Sequence, residues 1–167
     1  MRTIALALFI ATHTLACAAA QRPVTHVATT PERAAIDAVL DDWHAAAAAS
    51  DLERYMSHMA DEGVFLGTDA TERWSKAEFR AYAARPFSQG RGWSMRMRRR
   101  SVTLRGDVAI FDEDLDAQNL GPARGSGVLA REGDRWRILQ YNLTITVPNE
   151  RFDAVRALLS SGAERAP

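Results

Sequence analysis

The stretch from Met59 to Trp74 constrains this chain more than any other. An apolar pattern of helical period runs into it, and Asp61-Glu62-Gly63 then punctuates the helix. Val64-Phe65-Leu66 follows as a short apolar run, too short to alternate, and a loop dense in polar groups comes after Gly67. Two short helices precede the turn. Thr30-Pro31 opens the first, threonine as N-cap and proline at the first helical position. Ile36, Val39, Leu40 and Trp43 then recur at i, i+3, i+4, i+7. Ser50 to Glu53 reads as a capping box for the second helix, whose apolar face is Leu52, Tyr55, Met56 and Met59.

Beyond the turn the pattern changes. Ser75 to Glu78 is a second capping box, and helix three carries Phe79, Tyr82 and Ala83 and stops near Pro86. Ser88 to Gly92 is a loop. Trp93, Met95 and Met97 then alternate with polar residues, while Val102 and Leu104 alternate in the opposite phase. That change of phase predicts a β-bulge near Arg99 to Ser101. Gly106-Asp107 and Gly133-Asp134 are hairpin turns. They connect strands over 93–105, 108–118, 126–132 and 135–147, with a Gly/Pro loop at 119–125. In the last strand Leu139, Tyr141, Leu143, Ile145 and Val147 share one phase, and a terminal helix starts at Pro148-Asn149. Helices segregated from long antiparallel strands predict an α+β fold. We expect a curved antiparallel sheet wrapped around three N-terminal helices, with a C-terminal helix and a concave pocket between the layers.

The first twenty residues read separately. Arg2 precedes a mostly apolar run broken at Thr12-His13-Thr14, too short and interrupted to span a bilayer. It is expected to be an export signal. Ala18-Ala19-Ala20 suits ordinary signal peptidase; Thr14-Leu15-Ala16-Cys17 suits lipidation at Cys17. Both alternatives are open. Either places the protein in a bacterial periplasm or on a membrane through a lipid anchor. Residues 21–30 form a polar tether, and 31–160 the domain. Cys17 is the only cysteine, so the domain has no disulfide and no thiolate metal site. A net formal charge of zero argues against nucleic acid as a partner.

Two segments carry a family resemblance. Asp61-Glu62-Gly63-Val64-Phe65-Leu66-Gly67-Thr68-Asp69, with Trp74 and Lys76-Ala77-Glu78-Phe79 after it, is the first. Trp136 to Thr144, followed by Pro148-Asn149-Glu150, is the second. Together they resemble the SnoaL-like group of the nuclear transport factor 2-like superfamily, over about residues 32 to 155. The resemblance implies a cone-shaped fold with a deep pocket, and a homodimer through the outer sheet face. In the ketosteroid isomerase branch, it implies a catalytic carboxylate two residues after Phe65 and a tyrosine at position 43. This chain has Gly67 and Trp43 there, which argues against steroid-type isomerisation.

Asp69 and Glu72 are the candidate acid/base groups, because they follow the first strand at the expected pocket rim. Asp69 alternatively ties up loop N–H groups. Trp43, Tyr55, Trp74, Phe111 and Tyr141 are expected to line an apolar ligand pocket together with Asp69, or to form core. His44 and His58 show no metal-ligand spacing and read as surface or capping residues. Counting back from Gly106-Asp107 sets Arg100 against Glu113 and Arg99 against Asp114, a solvated face that neutralises itself. No metal or cofactor is expected. The functional expectation is a domain that binds a small, largely apolar molecule, with acid/base chemistry as an extension. The alternative is a non-catalytic interaction or dimerisation module at the envelope.

Overall fold

The computed structural model describes residues 30–163. The expected signal at 1–20, Cys17 and the tether up to residue 29 lie outside the described residues. Helix α1 spans Thr30–Ala48. Its periodic face, Ile36, Leu40, Trp43, Ala46 and Ala47, is fully buried. Small residues at its end let the following turn close tightly, where Ser50 takes a left-handed φ of 57°. Asp51, not Ser50, caps α2 (Leu52–Ser57), accepting from the Arg54 N–H at 3.1 Å. Ser50 Oγ instead accepts the Gly92 N–H at 2.9 Å and pins a distant loop.

Helix α2 is shorter than its apolar pattern predicts. Met59 and Ala60 are buried as residues of strand β1 (Met59–Leu66). The Ile138 N–H donates to the His58 carbonyl, which starts the ladder at the end of the helix. Asp61-Glu62-Gly63 is therefore a register shift within β1 and not a helix stop. Arg73–Ser75 forms β2, in what reads as polar loop, because Phe65 pairs with Trp74 across an antiparallel ladder. Helix α3 (Lys76–Ser88) has the expected Ser75/Glu78 capping box. It runs through Pro86 to bury Phe87.

Strands β3 (Met95–Arg105), β4 (Val108–Ala117), β5 (Gly121–Glu132) and β6 (Arg135–Ile145) form the long antiparallel part. The sheet is curved and unclosed, in the order β2-β1-β6-β5-β4-β3, and β1 and β6 run parallel. A bulge falls at Arg98, between the pairs Met97–Leu115 and Arg99–Asp114, next to the expected place. It returns Arg100, Val102 and Leu104 to the inward phase. A second bulge, at Leu139, separates buried Trp136 and Ile138 from buried Tyr141 and Leu143. Leu139 consequently leaves the phase its spacing assigns to it. Strand β5 begins five residues earlier than the Gly/Pro composition suggests, because Ala123 and Gly125 pair inward opposite Leu115 and Glu113. After Pro148 a 3-10 turn (Asn149–Arg151) leads into α4 (Phe152–Ala163), which leaves Phe152, Leu158 and Leu159 exposed.

Candidate functional site

Two regions inside the cone concentrate chemistry. The first is a cavity of about 230 Å³ lined by the end of β1, β2, α3, Leu143 of β6, the segment leading into β3 and the β4–β5 turn. Its walls are aromatic. Phe65 stacks on Phe79 with centroids 3.9 Å apart, and Trp74 stacks on Tyr82 at 4.5 Å. Trp93 closes one side, its indole N–H donating to the Tyr55 hydroxyl at 3.1 Å. Gln118, Asn119 and Leu143 complete the opposite wall. Tyr82 is 53% exposed, so the cavity opens to solvent beside it.

Glu72 is the one carboxylate lining this cavity. The β1–β2 ladder sets its direction. The Gly67 N–H donates to the Glu72 carbonyl at 2.8 Å, and two residues on, Trp74 faces Phe65. Alternation along a strand then gives Glu72 and Trp74 the same face. Glycine at 67 leaves room for the Glu72 side chain. A Cβ there would lie 2.1 Å from Glu72 Oε2, so the carboxyl occupies the space that a side chain at 67 would fill. Oε2 also accepts the Asp69 N–H at 3.2 Å. Among the described residues Glu72 takes part in no ion pair.

Asp69 lies outside the cavity lining and is exposed. Its Oδ1 accepts from the Thr71 hydroxyl at 2.6 Å and the Thr71 N–H at 2.8 Å. Those bonds, the hydroxyl first, hold its carboxyl below the usual range and make it a poor base. Trp74 lines the cavity as expected of it. Trp43, Tyr55, Phe111 and Tyr141 do not reach it; they are core. Trp43 is sandwiched by Tyr55 at 4.8 Å and Tyr141 at 4.4 Å where α1 lies on the sheet, and its indole N–H is buried without an acceptor. Tyr55 acts one layer back, by orienting Trp93.

The second region is a closed ionic cluster. Strand alternation turns Glu113 inward with Ala109, Phe111 and Leu115, and it is 0% exposed. Its Oε1 lies 2.6 Å from His44 Nε2 and accepts from the Tyr141 hydroxyl at 3.0 Å. Its Oε2 accepts from Arg100 Nε at 2.8 Å. Arg100 Nη1 reaches Asp37 at 3.1 Å and Asp41 at 2.9 Å on α1. The register of Arg100 against Glu113 is the one expected, yet the pair is buried and not solvated. Arg99 and Asp114, one step along, do make the exposed pair. His44 is buried, not a surface residue, because it continues the Ile36–Leu40 face of α1. His58 bonds Asp42 at 2.6 Å. Burial alone would raise the pKa of Glu113; the His44 hydrogen bond and charge, with Arg100, outweigh it and hold it below the ordinary value. Burial, then the Glu113 charge, pushes Tyr141 well above its usual range, so its hydroxyl remains a donor. Gly125 makes room for this contact, since a Cβ there would lie 2.1 Å from the Tyr141 hydroxyl.

The signal for this cluster was present in the sequence: Glu113 has the parity of Phe111, and His44 follows Leu40 by one helical turn. Among the described residues no group of three His, Cys, Asp or Glu side chains is placed to hold a metal. None of the described helices is long and apolar enough to cross a membrane.

The arrangement of elements recurs in solved structures. A cystatin-like domain of unknown function from Nostoc punctiforme PCC 73102 superposes with a TM-score of 0.65 at 16% identity, covering 83% of this chain and 93% of that one. A cystatin-like protein from Burkholderia xenovorans LB400 gives 0.61 at 20% identity, covering 75% and 100%. An NTF2-like protein of unknown function from Pseudomonas putida KT2440 gives 0.61 at 15%, covering 73% and 92%. At such identities the likeness is one of fold. No curated protein matches this chain in sequence. The SnoaL-like domain family matches residues 36–148, which hold β1 to β6, the cavity and the ionic cluster, and the chain belongs to that family within the nuclear transport factor 2-like fold.

Proposed function

We propose that the cavity binds a small, largely apolar molecule against its aromatic rings, with the Glu72 carboxylate as polar contact and proton acceptor. The observation that carries this reading is the composition of the wall. Phe65, Trp74, Phe79, Tyr82 and Trp93 line an open space, and a single carboxylate belongs to its wall. Concave, mostly apolar sites with few placed polar groups are the usual form of small-molecule pockets. Asp69, the other acid of the loop, is engaged by Thr71 and is not needed for the contact.

A titration with tert-butylbenzene, followed by ligand-observed NMR, tests the reading. Saturable binding is expected. Trp74→Ala, which removes one wall, is expected to weaken it about tenfold or more in protein shown by circular dichroism to be folded, the scale of one well-made aromatic contact. Equal binding by Trp74→Ala would place the probe elsewhere and remove the cavity from consideration.

A further inference from the structure

The cavity selects for charge as well as shape, and we infer that its ligand is a small organic cation, a substituted ammonium centre carried on an apolar body. This rests on the binding role proposed above and names the ligand class.

Three observations converge. Phe65, Trp74, Tyr82 and Trp93 all contribute to the wall, and the face of an aromatic ring carries negative potential that attracts a cation within about 6 Å of its centroid. Glu72 supplies a full negative charge to the same space. The lining contains no Lys, Arg or His. Three basic residues of neighbouring elements are engaged elsewhere: Lys76 bonds Asp61 at 2.9 Å, and Arg96 and Arg98 bond Asp116 at 2.5 and 2.6 Å.

The state of Glu72 decides between a cation and a neutral guest. Its carboxylate is half-buried and has no ionic partner among the described residues. Any guest that fills the cavity displaces water from that carboxylate. A neutral guest leaves the charge desolvated and unpaired, which is costly; a cation replaces the lost hydration with an opposite charge. An anion would meet the carboxylate with the wrong sign. Gly67 belongs to the same device, because only a residue without Cβ lets the Glu72 carboxyl fold back over the strand end.

Three probes of one shape separate the outcomes: phenyltrimethylammonium, its neutral isostere tert-butylbenzene, and benzenesulfonate. The cation is expected to bind about tenfold or more tightly than the isostere at low salt, with benzenesulfonate weakest. Glu72→Gln is expected to bring cation and isostere to within about threefold of each other while the isostere still binds. Gly67→Ala, which displaces the carboxyl without removing it, should lower the same preference. Equal binding of cation and isostere by the unaltered chain overturns the charge selection and leaves the cavity reading standing. Failure of all three probes overturns both. A cation preference that persists in Glu72→Gln overturns the role of Glu72. The comparison within the unaltered chain decides the main point even if a variant misfolds.

Discussion

The cavity and the ionic cluster lie in one cone and use similar residue types, yet they do opposite things with a carboxylate. Glu113 is fully buried and every oxygen is answered, by His44 and Tyr141 on one side and Arg100 on the other. Glu72 is half-buried and is answered by one backbone N–H. The rings differ in the same sense. Trp43 and Tyr55 are closed on each other in the core, whereas Trp74 and Trp93 face open space. A saturated buried charge fixes structure; an unsaturated one at a cavity wall is available to a ligand. The cluster ties α1 to β3, β4 and β6, so it holds the helix against the sheet, and none of its residues lines the cavity.

That contrast can be broken at graded cost. The largest effect is expected for Glu113→Ala, which removes the acceptor of Arg100 Nε and the partner of His44 and Tyr141 in the core. Loss of one member of a buried pair costs about 3–5 kcal/mol, read as a shift in the urea midpoint. Probe binding per folded molecule should be retained. Next comes Gly125→Ala, whose methyl group collides with the Tyr141 hydroxyl and forces the Glu113 contact apart, at about 1–3 kcal/mol.

Acid should act on the cluster in a defined direction. Glu113 has a folded pKa below its unfolded value, so its contribution is fully present above the ordinary glutamate range near 4.5 and fades as pH falls through the folded value. Asp42 behaves alike: Arg54, then His58, hold it at about 2 against an ordinary 3.8, and its contribution is lost as pH falls across that interval. Denaturation of the unaltered chain at pH 7 and pH 3.5 should show the loss, and Glu113→Gln should show a smaller difference between the two. The smallest effect on stability is expected for Glu72→Gln, within about 0.5 kcal/mol, because nothing in the core depends on that charge. A larger loss there would erase the distinction between the two carboxylates.

Most of the fold was legible because it is written in periodicity. The faces of α1 and α3, the capping box at Ser75 and both hairpins follow from spacing alone. Elements that depend on a distant partner were not legible. β2 is three residues long and exists because Phe65 pairs with Trp74. Met59 has helical spacing but is held in a strand by Ile138, nearly eighty positions away. The site divides on the same line. Glu72 and Trp74 follow the first strand within ten residues, which is why the sequence puts them near the cavity that they line, although it does not show the ladder that fixes their direction. The burial of Glu113 and His44 required combining the parity of β4 with the face of α1, and treating each alone as a charged or polar residue put both at the surface.

The exchange of space between Gly67 and Glu72 has a consequence for how such a cavity diversifies. The acid at the cavity wall is carried by the turn leading into β2, not by the strand that anchors the sheet, and its carboxyl occupies space left by a residue with no side chain. Position 72 can therefore change in charge or length without disturbing the β1–β6 ladder or the packed rings beneath it. The sheet and the acid at the cavity wall are separable parts, so a substitution at 72 is expected to change the wall and leave the scaffold in place.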